Sequence, residues 1–356
     1  MEKSKYYKDI NIFILFFVSI ILTIFFVGAK NLWFDQVDWL YGHGDLTNAQ
    51  LSWQYFQHDS WHFPIGKNPS YGLEISNSIV FTDNIPLFAI FFKILNVVIP
   101  NKFQYFSLWI FICLFLQLYF SYILLDKATS NKKFSLLSSL LFLLMPFLFF
   151  RLSHHLSLGA HWLILYTFYN AYFVEEKNKD FHWFVLITLS LLIHLYFTVM
   201  IFVIYSFFLL EKFFKTKNTK IFFKIFPKLL FAFIFMYIIG YFESSPINSV
   251  SSGYGDFKID LFSFMDPKLP FTANWSMFLD GLRITHLEGF IYLGLGNIFL
   301  MLIAFIFYIK NRIKNNSIKS NFSIFRILNL HIVIFFLWSL TTNFTILGNK
   351  ILNLSL

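Results

Sequence analysis

The chain has 356 residues, of which 57% are hydrophobic and 13% are charged, and its mean hydropathy is +0.63. Too few polar residues remain to cover the surface of a water-soluble globular protein, so the composition predicts an integral membrane protein. In such a protein the placement of basic residues is more informative than their sum, and the net charge of +9 does not indicate nucleic acid as a partner. The single cysteine, Cys113, excludes an internal disulfide and a CxxC metal site.

Apolar stretches along the chain predict an all-α, polytopic bundle of about nine transmembrane helices. With the N-terminus in the cytoplasm, 19 of the 28 basic residues but only 7 of the 19 acidic residues fall on the inner side. This charge distribution follows the positive-inside rule and is typical of a multi-pass protein of the bacterial inner membrane. The predicted spans are 11–28, 103–125, 134–150, 158–174, 183–195, 197–210, 225–242, 291–309 and 327–347.

Two segments need a choice in this topology. A single helix through 183–210 would move the lysine-rich stretch 212–228 outside, so two short spans that turn near His194 and Tyr196 are predicted. The apolar segment 85–99 is bounded by Pro86 and Pro100 and contains Lys93. It predicts an interfacial helix that does not cross.

The chain is predicted to form one membrane domain, residues 1–356, with two long outer segments. The first, 31–102, alternates aromatic and polar residues, which is typical of short helices in the headgroup layer. The second, 243–290, contains glycines that permit tight turns and aromatics that stack on sugar rings. Acidic residues concentrate in these segments, and a carboxylate-rich outer loop favours chemistry at the membrane face.

Asp45 and Asp83 are the candidate catalytic residues. A partly desolvated Asp45 near His43 would have a pKa moved towards neutrality and would act as a general base on an acceptor hydroxyl. The alternative is that Asp45 caps a helix that begins near Thr47. Asp83 is predicted to cap the helix that starts at Pro86, together with Thr82, and such a cap still presents one carboxylate oxygen.

Arg151 lies near three histidines at the predicted outer junction of the third and fourth spans. An Arg fork binds two phosphate oxygens, so this cluster predicts a site for a lipid phosphate, with a headgroup anchor as the alternative. The histidine spacing is not a recognised zinc pattern, and no metal site is predicted. The histidines of the cluster are His154, His155 and His161. His194 is predicted at the same depth in the membrane as this cluster.

Glu288 is predicted to open the eighth span, where a helix N-terminus stabilises a carboxylate, and it is a further candidate for substrate binding. The sequence contains no P-loop, dinucleotide fingerprint or GxSxG elbow. Nucleotide-driven transport and serine hydrolysis are therefore not supported.

Four runs of residues resemble the GT-C superfamily of polyprenyl-phosphate-dependent glycosyltransferases, and more closely a bacterial family of uncharacterised GT-C-like membrane proteins. The resemblance covers about residues 11–347. The runs are Trp61-His62-Phe63-Pro64-Ile65-Gly66, Ser78-Ile79-Val80-Phe81-Thr82-Asp83-Asn84-Ile85-Pro86, Leu158-Gly159-Ala160-His161-Trp162 and Glu288-Gly289-Phe290-Ile291-Tyr292-Leu293-Gly294.

This resemblance implies that a first-loop carboxylate acts as base while a sugar donor linked to polyprenyl phosphate docks from the bilayer. Asp45 matches the first-loop position, and Asp83 matches the Thr-Asp-Asn-Ile-Pro run. Asp45 lacks the adjacent second acid of many GT-C enzymes, which leaves dependence on a divalent metal open. Relatives usually continue into further spans, so a shortened, split or inactive member is also an expectation.

The predicted reaction is an inverting sugar transfer in which Asp45 takes the acceptor proton and Arg151, His154 and His161 hold the departing phosphate. The acceptor is a glycan, a lipid or a protein of the cell envelope. The alternatives are a transporter or lipid flippase, and a non-catalytic subunit of glycan assembly. Acids crowded on one face favour surface chemistry over passage.

Overall fold

The computed structural model describes residues 2–42, 44–72, 77–243, 259–268, 274–278, 281, 289–314, 343–346 and 349–353. Helices dominate these residues, as the sequence predicts. The helices are α1 (Glu2–Val27), α2 (Gly44–His58), α3 (Pro86–Ile94), α4 (Phe106–Thr129), α5 (Lys132–Leu143), α6 (Pro146–His154), α7 (Trp162–Phe173), α8 (Glu176–Ile193), α9 (Leu195–Thr216), α10 (Ile225–Ile239) and α11 (Leu295–Lys314).

Two small antiparallel hairpins complete the regular structure of the described residues. The first pairs β1 (Lys67–Asn68) with β2 (Asn77–Ser78), and the second pairs β3 (Asn343–Ile346) with β4 (Asn349–Asn353). The register of the second hairpin shifts between Phe344 and Thr345. Residues 343–346 were predicted to end the last span, so that part of the span prediction is wrong, while 327–342 lies outside the described residues.

Fewer described helices than predicted are long and apolar enough to cross a membrane. Three candidate spans are long and apolar enough. The pair α5 and α6, which is bent by 51°, would be a fourth if the two helices form one span. The count of nine is not supported, because the apolar part of α1 has 17 residues and α7 only 12. At 1.5 Å per residue α7 is about 18 Å long, short of a hydrocarbon core of about 30 Å. The three candidate spans that pass by length and composition are Phe106–Thr129, Leu195–Thr216 and Thr219–Ile239.

The predicted break near His194 is confirmed, since α8 ends at Ile193 and α9 begins at Leu195. His194 is extended, with φ −163° and ψ 132°, and its side chain accepts a hydrogen bond from the backbone N–H of Tyr196 (3.2 Å). The segment that was predicted as an interfacial helix contains α3, whose nine residues are too few to cross a bilayer.

The described residues form two compact units: Met1–Leu143 with Leu148–Asn248, and Leu144–Phe147 with Ser249–Leu356. In the second, the backbone N–H of Leu293 donates to the carbonyl of Phe264 (3.1 Å), and Phe290 and Tyr292 are buried. The prediction of a single membrane domain stays a prediction.

The first unit gathers several helix termini at one end, which we call the site end. The C-terminal ends of α1, α8 and α10 lie there with the N-terminal end of α4 and the loop between α6 and α7. Three hydrogen bonds join these elements: Gln104 Nε2 to Asn31 O (3.3 Å), Trp109 Nε1 to Leu156 O (2.7 Å) and Tyr241 Oη to Leu191 O (2.7 Å).

The opposite end of the first unit, which we call the lysine end, joins α7, α8, α9 and α10. Lys179 of α8 donates to the carbonyl of Ala171 in α7 (2.9 Å), and Lys228 of α10 donates to Asp180 of α8 (2.6 Å). The helices therefore run alternately between an end that carries the first loop and an end rich in lysine.

A substitution at Gly66 tests how closely the first loop packs on α10. The backbone N–H of Gly66 donates to the carbonyl of Ile239 (3.0 Å), and a Cβ added to Gly66 would lie well inside contact distance of that oxygen. We expect Gly66→Ala to lower the melting temperature in detergent, with an overpacking cost of about 1–3 kcal/mol. Gly44→Ala is the matched control, because nothing lies within 4 Å of its added Cβ. Equal melting temperatures for both variants would contradict this packing.

Candidate active site

Asp45 lies in the first turn of α2, at the site end. The helix begins at Gly44, before Asp45, so the predicted cap of a helix starting near Thr47 is wrong. The Asp45 side chain is half exposed, and its Oδ2 lies 3.8 Å from Nε2 of His155. A helix N-terminus favours a negative charge, so this carboxylate is both stabilised and accessible.

Asp83 does not cap α3, which corrects the second capping prediction. The N-cap residue is Ile85, and no side chain bonds to the first turn from that position. Oδ1 of Asp83 instead accepts hydrogen bonds from the backbone N–H of Ser157 (3.1 Å) and from the Ser157 hydroxyl. Its Oδ2 is buried and finds no hydrogen-bond donor among the described residues.

Burial raises the pKa of Asp83 to about 6, although the Ser157 hydrogen bonds and the nearby His155 act in the opposite direction. Asp45 contributes a smaller increase through like-charge repulsion. Asp83 interacts electrostatically with both His155 and Asp45. The two acids, which come from separate parts of the first loop, therefore converge on His155. With a pKa of about 6, Asp83 is mostly ionised at neutral pH although it is buried, and one of its oxygens has no hydrogen-bond donor among the described residues.

The backbone beside Asp83 is strained. Asp83 and Ile85 both adopt positive φ angles, 57° and 56°, in the left-handed region. Aspartate tolerates this conformation, but a β-branched residue such as isoleucine rarely adopts it. Backbone strain of this kind is found preferentially at functional sites, where the surrounding contacts enforce it.

A buried polar network holds the Asp83 turn against α2. Ser52 of α2 shares a 2.6 Å hydrogen bond with the hydroxyl of Thr82 and accepts one from the side chain of Asn84 (3.1 Å). Asn68 of β1 donates to the backbone carbonyl of Ser52 (2.9 Å). Because all four residues are fully or nearly fully buried, the network fixes the two acid-bearing segments relative to each other.

The α6–α7 loop that carries His155 and Ser157 is held from α4. Trp109 is fully buried and donates its indole N–H to the carbonyl of Leu156 (2.7 Å). Gly159 packs so closely on Leu152 that a Cβ there would clash with that side chain. His155 is therefore positioned by a loop with little freedom to move.

The structure brings His155 and Arg151 into the electrostatic surroundings of His194. Arg151 and His155 both act on His194, and Arg151 also acts on His161. His154 turns away: its Nδ1 lies 2.7 Å from the hydroxyl of Ser153 and 3.2 Å from the carbonyl of Phe150. The prediction placed His154 in the phosphate site, but its contacts are with its own helix, whereas its neighbour His155 faces the acids.

Sequence reasoning selected His154 instead of its neighbour His155, because local sequence does not show where α6 ends. His154 is the last residue of α6, and His155 is the first residue of the loop. Glu288 and His43 lie outside the described residues. Among the residues that are described, no group of three His, Cys, Asp or Glu side chains is arranged to hold a metal ion.

A family model described as a domain of unknown function (DUF6311) matches residues 16–356. No curated protein and no solved structure matches the chain.

The pKa of Asp83 is raised and that of Asp59 is lowered, so the two carboxylates should change the free energy of unfolding with pH in opposite directions. The pKa of Asp83 is higher in the folded than in the unfolded chain, so the free energy of unfolding falls as pH rises from about 4 to 6 and stays low above that range. We expect Asp83→Asn to raise the melting temperature at pH 7.5, with a gain in the free energy of unfolding of up to about 3 kcal/mol, and to have less effect at pH 4.5. Asparagine keeps an acceptor for Ser157 and tolerates the positive φ.

Asp59→Asn is the matched control, from the same loop. Burial opposes ionisation of Asp59, but the contact of its Oδ2 with Nε2 of His62 (3.4 Å) and the hydrogen bond from the Ser60 N–H to its Oδ1 (2.8 Å) hold its pKa below the ordinary value. Its stabilising effect is present above the unfolded pKa and is lost in acid, so this variant should melt at a lower temperature at pH 7.5. A lower melting temperature for Asp83→Asn at pH 7.5 would contradict the buried, unpaired carboxylate.

Proposed function

We propose that this chain, which belongs to the DUF6311 family, is a membrane glycosyltransferase that moves a sugar from a polyprenyl-phosphate donor to an acceptor at the outer face. The observation that carries the proposal is the approach of the accessible Asp45 carboxylate to His155, beside the buried Asp83. Asp45 supplies a proton acceptor, and Arg151, which like His155 interacts with His194, supplies a cationic group; transfer from a phosphate leaving group requires both.

The site end faces the outside of a bacterial inner membrane in this proposal, and the lysine end faces the cytoplasm. The lysines of α8, α9 and α10 at the lysine end support that orientation through the positive-inside rule. A donor whose phosphate already lies at the interface fits a site placed where helices end. The acceptor belongs to the glycans, lipids or proteins of the cell envelope.

Asp45 acts as the general base. Its carboxylate takes the proton of the acceptor hydroxyl while the hydroxyl oxygen attacks the anomeric carbon of the sugar. The bond from that carbon to the phosphate oxygen breaks with inversion, and the electron pair leaves with polyprenyl phosphate. Asp45 is preferred over Asp83 as base because its side chain is 51% exposed, whereas Asp83 is buried and tied to Ser157.

His155 and Arg151 stabilise the departing phosphate, with His194 and His161 nearby. Phosphate gains negative charge as the bond to the sugar breaks, and fixed cations compensate that charge best where water is excluded. Asp83 serves as a positioning residue: it binds Ser157 in the loop that carries His155, and it interacts electrostatically with His155. His155 thus replaces His154 in the mechanism predicted from sequence.

Loss of the Asp45 carboxylate should abolish sugar transfer, because removal of a general base typically costs about 10²–10⁴ in rate. Mass spectrometry of surface glycans and lipid-linked sugars in the native host should show one sugar missing in a deletion strain. Asp45→Asn at wild-type expression should not restore it. Asp38→Asn is the control, since Asp38 lies in the same loop but is 78% exposed and pairs with Lys102 (3.4 Å). Full restoration by Asp45→Asn would favour the transporter or assembly-subunit alternatives.

The two adjacent histidines allow a second test in the same assay. We expect His155→Asn to reduce the transferred sugar by about 10²-fold or more, because it removes a group that stabilises the leaving phosphate. His154→Asn should leave the sugar near the wild-type level, since the His154 side chain bonds to α6. The reverse pattern would place the phosphate on the other side of α6 and contradict the proposed site.

A further inference from the structure

The exposed side of α2 carries amide and aromatic side chains in the three turns that follow Asp45. At 3.6 residues per turn, the residues of this side lie opposite Ala49 and Trp53, which are fully buried in the core. Tyr55 on this side is 48% exposed, and one tyrosine from outside the helix lies on each flank. We call this surface the tyrosine strip; it consists of Tyr41, Asn48, Leu51, Gln54, Tyr55 and Tyr71.

Tyr71 flanks the strip from the loop after β1. Its hydroxyl donates a hydrogen bond to the amide oxygen of Asn48. The ring centroid of Tyr71 lies 5.6 Å from that of Tyr55, and the two ring planes are inclined by 50°. Two neighbouring aromatic rings therefore form one flank of the strip.

Tyr41 flanks the opposite side from the turn before α2. It is 37% exposed, and its hydroxyl donates to Oε1 of Gln54 (3.2 Å). Leu51 lies about 60° around the helix from both Asn48 and Gln54, so it falls between the two flanks. The strip thus has an apolar middle that is bordered by aromatic rings and amide groups.

The two amide side chains of the strip are oriented by these tyrosines. The side-chain oxygens of Asn48 and Gln54 each accept a tyrosine hydroxyl, so the NH₂ group of each amide is directed away from that bond. Neither NH₂ group has an acceptor among the described residues. Two oriented donors are therefore available to a ligand that carries hydroxyl groups.

The class of ligand follows from the charge and chemistry of the strip. After Asp45, α2 contains no Asp, Glu, Lys or Arg up to its end at His58. A polymer that carries phosphates or carboxylates is recognised by cationic groups, and the strip has none. A sugar ring has an apolar C–H face, which packs on aromatic rings, and hydroxyl groups at its edge, which pair with amides. The strip therefore fits a neutral glycan.

The strip leads to the proposed general base. Asn48 follows Asp45 by three residues, about 4.5 Å along the helix, and Tyr55 follows it by ten, about 15 Å. We propose that the tyrosine strip binds a neutral glycan acceptor, with one sugar ring against Tyr55 and Tyr71 and the acceptor hydroxyl of another ring at Asp45. The identification of this glycan as the acceptor rests on the proposed sugar transfer, whereas binding of a neutral glycan to the strip does not depend on it.

Binding of the purified full chain to an array of neutral and anionic oligosaccharides tests the proposal. The wild type should bind neutral glycans in preference to glycans that carry phosphate or carboxylate groups. Tyr55→Ala should weaken this binding about tenfold or more, since removal of an aromatic anchor commonly dominates the loss of affinity. Tyr55→Phe should bind like the wild type, because the ring supplies the contact.

Asn48→Asp separates loss of recognition from loss of folding. Aspartate has nearly the same volume and still accepts the Tyr71 hydroxyl, so the fold is retained. It has no NH₂ group to donate, so glycan binding should weaken. Trp33→Ala is the control, because Trp33 is a 70% exposed aromatic residue of the same loop that lies outside the strip. This control should bind glycans at the wild-type level.

Asp45→Asn distinguishes this proposal from sugar transfer itself. The variant should keep wild-type glycan binding while it loses transfer, since Asp45 is not part of the strip. Glycan binding that depends on Tyr55 and Asn48, without transfer in the host, would support the strip and contradict the proposed function. Preference for anionic glycans, no binding of any oligosaccharide, or equal binding by Tyr55→Ala and Trp33→Ala would overturn the strip.

Discussion

Ser157 joins two distant parts of the chain by donating hydrogen bonds to the buried carboxylate of Asp83, and the geometry of the candidate site depends on this contact. Asp45 and Asp83 belong to the first loop, whereas His155 and Ser157 come after α6. The carboxylate of Asp83 is the point where the two segments meet. Because the hydrogen bonds involve an ionised group shielded from water, each is stronger than a neutral surface bond.

This arrangement costs stability. One oxygen of Asp83 is buried without a hydrogen-bond partner among the described residues, and Ile85 has a positive φ that its branched side chain disfavours. A serine or asparagine in place of Asp83 would avoid the buried charge. Features that reduce stability without a structural gain are expected where a protein needs them for its chemistry. That reasoning supports a functional role for Asp83 through its charge rather than through contact with substrate.

Hydropathy was sufficient to predict a helical membrane protein and the break between α8 and α9. The break was predictable because His194 interrupts the apolar stretch 183–210. If that stretch crossed the membrane as one helix, the lysine-rich segment 212–228 would lie outside. The number of spans was not predictable in this way. Apolar composition does not distinguish a helix that crosses lipid from one that is short and packed inside the bundle, such as α7.

The candidate site was predicted in part. Arg151, Asp45 and Asp83 were singled out because charged residues in an apolar chain are conspicuous. Their contacts depend on tertiary structure. Proline at the start of α3 made Asp83 resemble an N-cap residue, but the positive φ angles of Asp83 and Ile85 change the direction of the chain. Local sequence also gave no signal that Ser157 would bind Asp83, since the two are 74 residues apart.

Binding of farnesyl phosphate to the purified wild-type protein tests the central claim most directly, because polyprenyl phosphate is the leaving group of the proposed reaction whatever the sugar. Isothermal titration calorimetry with farnesyl phosphate and with farnesol separates recognition of phosphate from burial of the chain. The account predicts saturable binding of the phosphate, little binding of the alcohol, and loss of the difference in Arg151→Gln. Equal binding of both compounds, or no binding of either, would contradict a phosphate site at His155 and Arg151.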